Sequence, residues 1–221
     1  ALNNQRGVLL ASGFEYPGRY SRWDIGFVNP PLQIVARGYA MQIQALNQRG
    51  RVLLPEIHAA VVDLDCVGSL RVNPDQVTLE VIAGAEPASE EQRSRRPSVF
   101  SVLRAIIQHF SSAQDPYLGL YGAFGYDLTF QFEDVVRCQQ RDPGQRDLVL
   151  YLPDQITVTD HRSERAVCLS YDFNCRASGS KDYSETTGGF RRRGQHVAYA
   201  PAISVSRSCD HGESEFIAQV S

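Results

Sequence analysis

The chain has 221 residues, 43% of them apolar and 21% charged, with a formal net charge of −3. Such a composition suits a folded protein with its own core and excludes a disordered, collagen-like or low-complexity chain. The near-neutral balance gives no broad positive field for nucleic acid or an anionic membrane, and no apolar run approaches a membrane span.

Val8 to Leu10 is a short apolar strand. It leads into Gly13 to Pro31, a stretch holding the only tryptophan, Trp23, among further aromatics, two arginines, three glycines and three prolines. Glycine permits positive φ, and proline fixes φ and removes a donor. A backbone so heavily specified, with aromatic and cationic side chains together, shapes a pocket or a domain junction rather than an ordinary core strand. Leu32 to Arg37 and Tyr39 to Leu46 are strands separated by Gly38. In the second, Tyr39, Met41, Ile43 and Ala45 alternate with Ala40, Gln42, Gln44 and Leu46, the period of a half-buried strand. Asn47 to Gly50 reads as a turn, Arg51 to Leu54 as the returning strand, and Pro55 to Val62 as a short helix with proline in its first turn. Gln76 to Ile82 alternates again, through Val77, Leu79 and Val81.

Glu86 to Arg96 is polar and reads as a loop. It precedes a helix over Ser98 to Phe110, in which Val99, Val102, Leu103, Ile106, Ile107 and Phe110 share one face. Tyr117 to Tyr126 reads as a strand whose three glycines mark a bulge or a close backbone approach. Leu148 to Leu152, Asp154 to Thr159 and Ala166 to Phe173 complete the set as a meander. From Asn174 to Arg193 the composition turns to Ser, Gly, Thr and charge, as in a linker. Glu213 to Val220 has a helical pattern in which the chain stops, and the first residue is Ala1, so a piece of a longer protein is expected.

The five cysteines form no Cys-x-x-Cys pair and read as reduced thiols of a cytoplasmic protein. His58, His109, His161, His196 and His211 lack metal-site spacing and read as surface or satisfied core residues. Gly122 to Gly125 lacks the Lys and Ser/Thr of a phosphate loop, and no Gly-x-Ser-x-Gly elbow occurs. Arg191, Arg192 and Arg193 read as a solvated run. Ser12, Arg19, Tyr20 and Ser21 are open to two readings. They could give a small amphipathic ligand its fixed polar groups, or serve turn chemistry alone.

VLLASGFEYPGRYSRWDIGFVNPPL (8–32), RRPSVFSVLRAII (95–107), YLGLYGAFGYDLTFQFE (117–133), RDLVLYLPDQITVTDH (146–161) and SYDF (170–173) together resemble the N-terminal part of anthranilate synthase component I. The resemblance is closest to the form fused to its glutamine amidotransferase. It implies an α+β fold, mainly antiparallel sheet (half of a two-layer α/β sandwich) with a few packed helices. It implies a regulatory domain over 1–173, a polar linker over 174–212 and the start of a catalytic domain over 213–221. The complete enzyme would convert chorismate and glutamine to anthranilate and pyruvate, with magnesium, under feedback by L-tryptophan. The resemblance assigns Ser12, Tyr20 and Ser21 to the tryptophan effector. Ala11 stands where the family often has Glu, which removes one partner for an ammonium group. The family's chorismate, magnesium and glutaminase motifs are absent from these 221 residues, so no catalytic residue and no metal ligand is assigned, and the segment alone is expected to be inactive and without a bound cofactor. The catalytic and amidotransferase domains are the implied partners. A sister chorismate-utilising enzyme (aminodeoxychorismate or phenazine-pathway synthase), a stand-alone amino-acid-binding module and an inert remnant are the rival readings.

Overall fold

The computed structural model describes residues 5–11, 22–83, 96–111, 115–133, 138–173, 175 and 191–197. Eleven strands form two sheets in which every neighbouring pair is antiparallel. They are β1 (Gly7–Leu10), β2 (Trp23–Val28), β3 (Leu32–Arg37), β4 (Ala40–Ala45), β5 (Val67–Asn73), β6 (Gln76–Val81), β7 (Tyr121–Phe124), β8 (Leu148–Leu152), β9 (Gln155–Asp160), β10 (Arg165–Asp172) and β11 (Arg191–Val197). The first sheet has the order β1-β2-β9-β10-β11 and the second β5-β6-β4-β3-β8-β7. Two α-helices, α1 (Gln48–Val61) and α2 (Val99–Phe110), and a 3₁₀ helix (Tyr126–Gln131) complete the described elements. The fold is therefore α+β and mainly antiparallel, as expected. Among the described residues, no helix is long and apolar enough to cross a membrane.

One apolar cluster joins both sheets and both helices. Met41, Ile43, Val77, Leu79 and Val81 are buried where the alternation of β4 and β6 places them. Helix α2 buries Val99, Val102, Leu103, Ile106 and Phe110, each contributing roughly 1.5–3 kcal/mol at most. Ile107, expected on the same stripe, is 43% exposed. At 100° per residue it lies ~80° around the helix from Val99, at the rim of the buried face.

Three local expectations fail for identifiable reasons. The first is the turn, strand and short helix expected over 47–62, which are one helix. Asn47 caps α1, its side-chain oxygen accepting from the Gly50 N–H at 3.0 Å. Gly50 and Pro55 lie inside it, at a helical cost of about 1 and about 3 kcal/mol. Burial of Leu53, Leu54, Ile57 and Val61, worth roughly 1.5–3 kcal/mol each, outweighs both. Glycine is required at position 50: a Cβ there would lie 2.1 Å from the Pro31 carbonyl oxygen.

The second is the meander. β8 lies between β3 and β7 in the second sheet, whereas β9 and β10 belong to the first. Pro153, between β8 and β9, has no N–H for a ladder, and the chain changes sheets there. The third is the strand over 117–126, which shrinks to Tyr121–Phe124 and passes at once into the 3₁₀ helix. Two of its three glycines do mark close approach, since a Cβ on Gly122 would lie 2.0 Å from the Val149 carbonyl oxygen and one on Gly125 2.9 Å from that of Asp147, whereas Gly119 has open space.

Other features carry no sequence expectation or depart from it. β5 answered to no reading of the sequence. The end of the Gly13 to Pro31 stretch is an ordinary paired strand, β2. Arg191, Arg192 and Arg193, expected in a linker, begin β11 and pair with β10.

Candidate functional site

The hairpin partners β1 and β2 frame the most chemically varied surface. Their last pair is Leu10 with Ile25, and β9 continues the rungs with Ile25 opposite Val158 and Trp23 opposite Asp160. Side chains two apart share a face, so Trp23, Ile25 and Phe27 line one side of the sheet. Phe27 is buried and meets Tyr121 and Tyr151 edge-to-face at 5.9 and 6.1 Å. Toward the other end this face opens, with Leu10 43% and Trp23 40% exposed.

A charged rim closes the open end. The Arg22 guanidinium stacks 4.5 Å above the Trp23 ring. It also donates to both oxygens of Asp160, through Nε at 3.3 Å and Nη2 at 3.1 Å. The backbone N–H groups of Arg162 and Ser163 donate to the same carboxylate at 3.0 and 3.4 Å. Arg22, aided by these donors and the Ser163 hydroxyl, holds the Asp160 carboxyl well below its ordinary value, at about 2, against the opposing effect of burial. The pairing in turn pushes the Arg22 guanidinium further up. Beside it Asp24 and His161 meet at 2.8 Å.

A second polar group lies along 115–121. Asp115 accepts from the Tyr117 N–H at 2.9 Å and from the Tyr171 hydroxyl at 3.2 Å. The Tyr121 hydroxyl donates to the Tyr117 carbonyl. Burial first, and then the neighbouring Asp115 and Tyr117, push the Tyr121 phenol up to about 12. On the outer face, a cavity of about 240 Å³ is lined by Val8, Leu9, Gly26, Val28, Gln155 and Thr157 among others.

The arrangement suits binding more than catalysis. An apolar shelf beside a mutually satisfied ion pair can seat a flat apolar body next to polar groups. Burial raises the thiols of Cys66 and Cys175, the latter to about 11, which makes both poor nucleophiles. Among the described residues no group of three or more His, Cys, Asp or Glu is placed to hold a metal ion, so magnesium finds no fitting donor set there.

The expected effector residues Ser12, Tyr20 and Ser21, with Arg19, lie outside the described residues. Their flanks are placed: Ala11 follows β1, and Arg22 precedes β2. The sequence reading missed Arg22, Asp160 and Tyr117. The one available signal was Arg22 beside Trp23, since Asp160 is 138 residues away from its partner.

No family model matches the chain. It is 43% identical over 216 residues to a protein named anthranilate synthase from Azospirillum brasilense, an alignment covering 98% of this chain and 28% of that protein. To anthranilate synthase component 1 of Vibrio parahaemolyticus it is 30% identical over 166 residues, 73% of this chain and 29% of that protein. To the component 1 protein of Serratia marcescens it is 27% identical over 222 residues, 97% of this chain and 42% of that protein. The chain thus spans less than half the length of the curated relatives it matches.

Proposed function

Because this chain is related along nearly its whole length to the anthranilate synthases, we propose that it is the N-terminal, tryptophan-sensing part of such an enzyme. The complete protein would convert chorismate and glutamine to anthranilate and pyruvate in tryptophan biosynthesis. The observation that carries this reading is 43% identity over 98% of the chain. In this reading chorismate, magnesium and glutaminase chemistry belong to the catalytic and amidotransferase domains, and these 221 residues alone do not turn chorismate over. Ser12, Tyr20 and Ser21 contact the effector, and the shelf of Leu10, Trp23 and Ile25 supports it from the strand ends. L-tryptophan acts by favouring a state poor at chorismate chemistry, which requires that it bind that state more tightly than the active one.

The test is a calorimetric titration with L-tryptophan, using D-tryptophan as control. Stereoselective binding supports the reading. A cooperatively folded chain that binds neither enantiomer, or both equally, refutes a pocket built from this segment.

A further inference from the structure

Helix α1 carries Arg51, Leu54, Pro55 and His58 at spacings of three, four and seven, so they share one face. That face meets the end of β5 and the following turn, at Val72, Asn73 and Pro74. Between them lies a cavity of about 540 Å³. This falls within the roughly 300–1,000 Å³ of small-molecule sites. It sits at the β5 edge of its sheet, the opposite edge from β7, and is separate from the surface around Trp23.

The lining is amphipathic in a directed way. Leu54, Pro55, Val72 and Pro74 supply apolar walls, with Val72 50% exposed on the edge strand. Arg51 lies at the exposed rim of the cavity, where its Nε donates to the Asp75 carboxylate at 2.6 Å and its Nη1 to Gln48 at 3.0 Å, the Arg51 and Asp75 side chains being 54% and 60% exposed. Its Nη2 and the His58 ring have no partner among the described residues. Pro55 has no N–H, so the Arg51 carbonyl lacks its donor four residues on. The cavity thus sets a guanidinium with its Nη2 unused beside an apolar floor.

We propose that this cavity binds a small monocarboxylate with a flat apolar body, its carboxylate on Arg51 and its body between Pro55, Val72 and Pro74. The charge-assisted hydrogen bond from Arg51 Nη2 selects a carboxylate over a neutral amide.

The test uses the full chain, ¹⁵N-labelled, titrated with phenylacetate and with neutral phenylacetamide. Saturable amide shifts centred on 51–58 and 72–74 are expected with phenylacetate. Arg51→Gln should weaken phenylacetate by about tenfold or more while leaving phenylacetamide unchanged. Val72→Asp places a carboxylate on the opposite wall without touching the helix, and should abolish phenylacetate binding while phenylacetamide still binds. The proposal is overturned if phenylacetate gives no saturable shifts, if they centre elsewhere, or if either variant binds phenylacetate as the parent does.

Discussion

Gly50→Ala sets helix propensity against packing with opposite signs. In an open helix interior the change should stabilise by about 1 kcal/mol. In this chain the new Cβ would lie 2.1 Å from the Pro31 carbonyl oxygen and 3.0 Å from the Ala45 Cα. The carbonyl cannot turn aside, because it accepts the Leu46 N–H at 2.8 Å at the mouth of the β3–β4 hairpin. Helix α1 must therefore lift by nearly 1 Å, loosening Leu53, Leu54 and Ile57, which are all at most 2% exposed. Forced overpacking costs about 1–3 kcal/mol, and because every atom in the way here is backbone the cost lies at the upper end, about 3 kcal/mol. After the propensity gain, a net loss of about 2 kcal/mol is expected, or roughly 4–8 °C in melting temperature for a chain of this size. Urea unfolding followed by far-ultraviolet circular dichroism reads the midpoint. A variant as stable as the parent, or more so, would refute the close approach of α1 to Pro31.

Two further predictions test the polar framework. Asp147 is 2% exposed and accepts from the Gly38 N–H and from both terminal nitrogens of Arg141. Asp147→Ala leaves those donors unpaired while Asp127 still meets Arg141 Nε at 3.1 Å, and should cost about 1.5–3 kcal/mol in the same urea assay, whereas a loss under 1 kcal/mol would mean the pair is not formed. Asp160 titrates at about 2, below its ordinary value of 3.8. A depressed carboxyl stabilises the fold above the unfolded value, and this contribution disappears as pH falls from about 4 to 2. Arg22→Gln removes its main partner, so the Asp160 carboxyl should titrate closer to 3.8 by carbon-detected NMR, with a narrower acid-sensitive window; an unmoved titration would show that the backbone donors alone hold it down.

Legibility followed the range of the forces involved. β3 and β8 match their sequence bounds to the residue, because alternating apolar side chains write the buried face directly into the sequence. Helix α2 is equally plain for the same reason. Helix α1 was hidden because its two strongest local cues, Gly50 and Pro55, speak against a helix, and only the sheet beneath explains them. β5 escaped because the edge strand is mostly exposed, so burial leaves little pattern in it. β9 and β10 were visible as strands, but which sheet received them depends on Pro153 and on partners more than a hundred residues earlier.

The same argument separates what a site's sequence can show from what it cannot. Trp23 stands out alone in composition, and its neighbour Arg22 stacks on it, an interaction between adjacent residues. What fixes Arg22 is Asp160, brought opposite Trp23 only because β2 and β9 pair in one register. A one-residue slip of that pairing would turn Asp160 to the other face and leave the guanidinium without its carboxylate. The rim is thus a consequence of register, set by Ile25 against Val158 and by the burial of Phe27, rather than of any local motif. Substitutions at those apolar rungs should therefore disturb the charged rim even though none of them carries a polar atom in its side chain.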